Sequence, residues 1–243
     1  MKTRRSSLKP APMGTRTVMD SSDTALLRLL QLVSPALPVG AYAYSQGLEH
    51  AVAVGWVHDE QSAADWISGV AHHALSNLDL PVFARLCKAW QAGDDVAVAR
   101  WNAYLYASRE SAELQQEDRQ LGLALARLLS ELEIDDAANW RNQNAVCFAT
   151  MFSLAAVRWG VDVEAAACGY LWTWWENQVA AAIKLIPLGQ TAGQRILSAA
   201  AQHIPDLVGV ALAVDDQDIG AVMPALAIGS AQHEVQYSRM FRS

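Results

Sequence analysis

ESAELQQEDRQLGLALARLLSEL, residues 110–132, decides the fold. Leu114, Leu121, Leu125 and Leu128 recur at the spacing of one helical face, and no strand-like alternation competes with them. The acidic residues Glu110, Glu113, Glu117 and Asp118 read as the solvated side of this helix. Arg109 and Arg119 are placed to pair with them, each pair worth roughly a few tenths of a kcal/mol.

Working outward, the same period recurs with local start and stop signals. Toward the N-terminus, Asp94 opens a helix burying Val98, Trp101 and Leu105. Asp59 caps one that runs to about Asn77, with Trp66, Val70, Ala74 and Leu75 inward. Pro81 suits the first turn of a further helix, which Gly93 ends. The first helix starts at Thr24, with Leu26, Leu27, Leu30 and Val33 on one face, and stops at Ser34-Pro35. Tyr44–Val54 reads as a short helix closed by Gly55. Toward the C-terminus, helices are expected around 144–158, 163–186, 190–203, 206–214 and 217–228, separated by Gly160, Pro187-Leu-Gly189 and Pro205. The expected fold is all-α, a single compact bundle of roughly ten helices over residues 23–231. Residues 1–22 are polar and aperiodic and are expected to be disordered.

Composition narrows the function. With 52 % hydrophobic and 18 % charged residues, the chain has ample apolar surface for a core. The net charge is −7, and the first twenty residues are basic, so the rest is more acidic still. That argues against a nucleic-acid surface, which needs clustered Lys and Arg. Cys87, Cys147 and Cys168 are odd in number and lack CxxC spacing, so three buried, reduced thiols are expected. Lys184 and Glu176 interrupt the best membrane-spanning candidate, and the basic N-terminus has no apolar stretch of a secretory signal. A single basic segment without lipidation binds membranes only marginally. A cytoplasmic protein is expected.

Catalytic patterns are missing from the sequence. Gly189-Gln-Thr-Ala-Gly193-Gln lacks the Lys-Ser/Thr of a phosphate loop, and neither GxSxG nor HExxH occurs. His72-His73 are neighbours on a helix and point apart, so no metal site is expected there. Trp172, Trp174 and Trp175 read as packing residues. The alternative is an all-α enzyme with a site built from scattered Glu and His residues, and no spacing seeds one.

Two segments stand apart from the core pattern: SPALPVGAYAYSQGLE (34–49) and HEVQYSRMFRS (233–243). Prolines pre-set the first, and Tyr42 and Tyr44 suit anchoring of a partner. Lys184, in the last turn of a helix among small apolar residues, is a further contact candidate besides its favourable place at the helix dipole. These residue types grip partners; no nucleophile or metal cluster accompanies them.

With LLQL at 29–32, SPALPVGAYAYSQGLE, SRESAELQQEDRQLG (108–122), KLIPLGQ (184–190) and HEVQYSRMFRS in this order, the chain resembles the UreF family of urease accessory proteins over about residues 24–243. Ala43 stands where that pattern has serine, and the N-terminal extension lies outside it. The resemblance implies a dimeric, non-catalytic protein without a resident cofactor, handling nickel only transiently. It implies a complex with UreD (also called UreH) and the GTPase UreG on apo-urease. By the same resemblance Tyr42, Ser45, Gln46 and Glu49 lie on or under the surface meeting the GTPase, joined by Lys184 and Gln190. Tyr237, Ser238, Arg239, Phe241 and Arg242 belong to a tail, 232–243, that UreD orders, and His233 is a contact candidate for its place in the closing motif. Arg109 and Arg239 are the arginines considered for assisting GTP hydrolysis.

Overall fold

Residues 110–132 do form a helix, α6 (Ala112–Glu131), opened by Ser111, whose hydroxyl accepts the Leu114 N–H at 3.1 Å. The computed structural model describes residues 21–220 and 223–243. Leu114, Leu121, Leu125 and Leu129 are buried on the side of α6 that packs against α8 (Phe148–Arg158). Helix α8 is buried over residues 148–156 and forms the centre of the bundle. Around it lie α4 (Leu80–Ala92), followed by α5 (Asp95–Ala107), and the long hairpin of α9 (Val163–Leu185) and α10 (Gln190–Leu212). Phe83, Phe148, Phe152 and Tyr170 fill the middle with ring centroids 5.4–6.0 Å apart. Each such ring, taken out of water, contributes about 1.5–3 kcal/mol. Among the described residues there is no strand.

The expected caps are in place. Asp59 forms a capping box with Ser62 at the start of α3 (Glu60–Val70), and Asp94 accepts the Ala97 N–H at 2.9 Å. At the N-terminus, α1 (Ser21–Leu32) starts earlier than Thr24 and takes in two residues of the segment expected to be disordered; residues 1–20 lie outside the described residues. Its apolar face is also rotated from the expectation. Leu32 is buried and Leu29 packs on α9 at Gly169, while Leu26, Leu27 and Leu30 are exposed.

Three other expectations fail for identifiable reasons. No helix boundary falls before Pro81. Instead α3 runs through a π-helical stretch, Ala71–Asp79, directly into α4. Side chains add bonds to carbonyls of this stretch: Ser76 Oγ donates to Ala71 O at 2.8 Å and Asn77 Nδ2 to His72 O at 2.9 Å. The carbonyl of Asn77, which Pro81 cannot serve, accepts the Gly220 N–H at 2.9 Å. At Pro205, α10 continues without interruption, because Ala201 and Pro205 are both exposed and the freed carbonyl can turn to water. Residues 217–228 do not form one helix. A short turn at Asp216–Asp218, tied to Arg85 at 2.8 Å, precedes α11 (Pro224–His233), which starts on its proline. Cys87 and Cys147 are buried, whereas Cys168 is half-buried.

Candidate functional site

The 34–49 segment is not the expected continuous helix from Tyr44. Ala41–Ala43 make one 3₁₀ turn, and α2 (Leu48–Ala53) follows after an irregular step. Gln46 (φ +51) and Gly47 (φ +79) both occupy the left-handed region, which breaks the helix there. At Gly47 a Cβ would stand 3.0 Å from Ser230 N and 3.2 Å from the Gly229 carbonyl carbon, so glycine lets α2 meet α11 backbone to backbone. Gln46 is held in its strained state at both ends of its amide. Nε2 donates to Glu117 Oε1 at 2.8 Å, and Oε1 accepts the Trp174 indole N–H at 2.6 Å. Tyr44 is buried, its hydroxyl donating to Gln120 Oε1 at 3.1 Å and its carbonyl accepting from Asn177 Nδ2 at 3.2 Å. Burial raises its phenol pKa, and a hydrogen bond from Arg242 opposes that. Tyr42, by contrast, is 69 % exposed.

The C-terminal segment lies directly on this loop. Arg242 N–H donates to Ala43 O at 2.8 Å. The Ser45 N–H and hydroxyl both donate to the Ser243 backbone oxygen, at 2.8 and 2.5 Å. Met240 and Phe241 N–H groups donate to the two oxygens of Glu49 at 2.7 and 2.9 Å, and Ser243 Oγ donates to Glu117 Oε2 at 2.7 Å. Hydrogen bonds to a buried carboxylate are worth about 1.5–3 kcal/mol each. Phe241 is buried, and the Lys184 ammonium sits 5.5 Å from its ring centroid. Tyr237, Ser238, Arg239 and Arg242 face solvent, with Arg239 Nη1 on Glu113 Oε1 at 2.7 Å. The segment expected to be ordered by a partner is thus seated against its own chain. Helix α11 also runs through His233, so the 231/232 boundary falls inside its last turn.

Behind the loop is a cavity of about 100 Å³, walled by Leu75, Leu78, Leu114, Leu121 and Phe148. Its polar side holds a buried ion network. Arg109 binds Asp79 through both terminal nitrogens, at 2.7 and 3.1 Å, and Asp118 through Nε at 2.8 Å; Tyr170 OH donates to Asp79 at 3.2 Å. Burial disfavours the Arg109 charge, but Asp118 and Asp79 outweigh it and hold the guanidinium charged. Asp118 also accepts the Phe148 N–H at 2.6 Å, capping α8 from a neighbouring helix. Next to it, burial pushes the Glu117 carboxyl up to about 7, against the hydrogen bonds from Gln46 and Ser243.

The structure therefore brings Tyr44, Ser45, Gln46, Glu49, Lys184, His233, Phe241 and Arg242 into one connected patch, with Tyr42, Tyr237, Ser238 and Arg239 at its exposed part. Gln190 is exposed in the first turn of α10. Ser45, Glu49, Phe241 and His233 are buried beneath this surface. Two readings of the acidic stretch are corrected. Glu117 and Asp118 are buried, since they share the Leu114–Leu121 stripe and meet Gln46, Arg109 and Ser243 there. Arg109 pairs with Asp118 and with Asp79 inside the bundle rather than on a solvated helix face. Trp174 and Asn177 were missed as loop supports; they lie 128 and 133 positions from the loop residues they hold, so no local spacing links them. Among the described residues no group of three or more His, Cys, Asp or Glu is placed to hold a metal ion, and no helix is long and apolar enough to cross a membrane.

Comparison with known proteins bears out the family resemblance. A UreF family model matches residues 57–201. A urease accessory protein UreF of Alkalilimnicola ehrlichii is 50 % identical over 216 residues, covering 89 % of this chain and 95 % of that protein. The UreF of Teredinibacter turnerae is 50 % identical over 218 residues, 90 % of this chain and 98 % of its own. That of Chromohalobacter salexigens is 46 % identical over 231 residues, 95 % of this chain and 100 % of its own.

Proposed function

The chain belongs to the UreF family of urease accessory proteins, and we propose that it serves urease maturation as a non-catalytic scaffold holding UreD (UreH) and the GTPase UreG on apo-urease. In this reading it couples GTP hydrolysis to delivery of nickel, which passes as cargo without a tight ligand set of this chain. It acts in the cytoplasm, as a homodimer, away from membranes and nucleic acid.

The observation that carries the reading is the joining of the two motif segments into one surface. Ser45 and Glu49 bind the backbone of residues 240–243, and Lys184 covers Phe241. Above these buried ties the surface offers Tyr42, Tyr237 and Met240 as apolar anchors and Lys184, Arg239 and Arg242 as cations. On a chain of net charge −7 this local cationic group favours an acidic partner face and steers its approach. UreG is assigned to the loop side with Lys184 and Gln190, and UreD to Tyr237, Ser238, Arg239, Phe241 and Arg242.

The test is co-expression with the UreD and UreG proteins of the same organism, followed by size exclusion with and without a GTP analogue. Co-elution is expected, and Tyr42→Ala should weaken the complex by about 2 kcal/mol, the hot-spot scale, with no change in thermal midpoint. A chain that elutes alone under every nucleotide condition, with UreD soluble, refutes the scaffold.

A further inference from the structure

His233, in the last turn of α11, is fully buried between two carboxylates. Its Nδ1 stands 2.7 Å from Glu113 Oε2 and its Nε2 stands 3.2 Å from Glu49 Oε2. A neutral imidazole has one N–H; it can serve one of these oxygens and must turn a lone pair to the other. An imidazolium serves both.

The surrounding charges count the same way. Glu49 faces the ring from α2 and Glu113 from α6; both are nearly enclosed. From the C-terminal segment Arg239 binds the far oxygen of Glu113 at 2.7 Å, while Arg242 lines the same outer pocket without an ion pair to either carboxylate. Glu234, beside His233, is exposed and accepts the Glu113 N–H at 3.2 Å. Between α6 and α11 the Ser111 and Ser230 hydroxyls bond each other at 2.5 Å and add no charge. Two enclosed carboxylates against one arginine leave one negative charge uncompensated, and burying such a charge is costly. A proton on the ring cancels it. The same Glu49 carboxylate accepts the Met240 and Phe241 N–H groups, so the proton and the C-terminal segment share one acceptor.

We propose that a proton on His233 latches Met240 and Phe241 into their seat, and that its loss lets Glu49 turn away and release both amides as pH rises. The device is a property of this chain alone and does not depend on the partners named above. Once the ring is neutral, one ring nitrogen and one carboxylate face each other lone pair to lone pair. Glu113 keeps Arg239 as a partner, so Glu49 is the group that moves.

Glu117 also touches the segment, through Ser243 Oγ, and its carboxyl is itself displaced by burial to about 7. Glu117→Gln keeps hydrogen-bonding groups toward Gln46 and Ser243 without a charge, which isolates the contribution of His233. The experiment is NMR of the full chain, with ¹⁵N-labelled backbone and histidine rings, between about pH 5 and about pH 9, which brackets the interval of about pH 5–8 where an ordinary imidazole changes charge. At the acid end both ring nitrogens of His233 should carry protons. As the ring loses one, protection of the Met240 and Phe241 amides should fall roughly tenfold or more, the equivalent of one charge-assisted hydrogen bond, in the parent and in Glu117→Gln alike. Glu113→Gln should hold the segment across the whole range, because a Gln amide can donate to a neutral Nδ1. Any of four results overturns the proposal: a neutral ring throughout with protected amides, a ring that keeps both protons to the alkaline end, a titration the amides ignore, or a release that vanishes in Glu117→Gln.

Discussion

Glu117→Gln should make the protein more stable at neutral and alkaline pH while leaving it unchanged in acid. The Glu117 carboxyl is buried, and burial displaces its pKa from an ordinary 4.5 to about 7. A carboxyl whose folded pKa lies above its unfolded one binds more protons in the folded state. Stability therefore falls as pH rises from the unfolded value to the folded one, and is fully present only below that window. The displacement corresponds to about 3 kcal/mol, lost between about pH 4.5 and pH 7. Glutamine preserves the geometry: its carbonyl accepts from Gln46 Nε2, as Oε1 does now at 2.8 Å, and its amide replaces Oε2 opposite Ser243 Oγ, now 2.7 Å away. Only the ionisation is removed. At about pH 8 the thermal midpoint should rise by roughly 6–12 °C, at two to four degrees per kcal/mol for a chain of this size. Near pH 4.5 the two proteins should melt together. The assay is differential scanning calorimetry of parent and variant across that interval. Parallel pH profiles, with a constant offset or none, would refute the argument, because they would mean that Glu117 carries its charge as readily in the fold as outside it.

Arg109→Met should cost about 3–5 kcal/mol in urea unfolding, since it strands Asp79 and Asp118 without a cation in the interior; a loss under about 1 kcal/mol would show that water reaches the network. Gly47→Ala should lower the thermal midpoint by the equivalent of about 1–3 kcal/mol, because its φ of +79 and the Ser230 nitrogen 3.0 Å away leave a Cβ no room. An unchanged midpoint would mean that α2 and α11 can part at no cost.

The helices were legible where their signals are local. Asp94 and Asp59 cap because each bonds a backbone N–H three residues ahead, a relation visible in any window of sequence. Pro81 and Pro205 misled for opposite reasons. One relies on a distant N–H, that of Gly220, and the other on exposure, and neither appears in the neighbouring residues. The loop and tail could be picked out as motifs, but Ser45 and Ser243 meet across a separation of 198 positions, so their union was not. The burial of Asp118 was within reach: it sits one turn from Leu114 and Leu121 on the same stripe. A charge in that position asks for a buried partner, and Arg109 supplies it.

That network bears on how the chain reaches its fold. Asp79 ends the π-helical stretch, Arg109 lies in the turn before α6, and Asp118 belongs to α6 and caps α8. Each helix can form alone, yet no pair of them can bury its share of these charges with all partners in place. A half-assembled bundle therefore keeps the charges in water and leaves its apolar faces apart. The charges are matched only when all three elements are docked, so the network ties their packing into one cooperative unit.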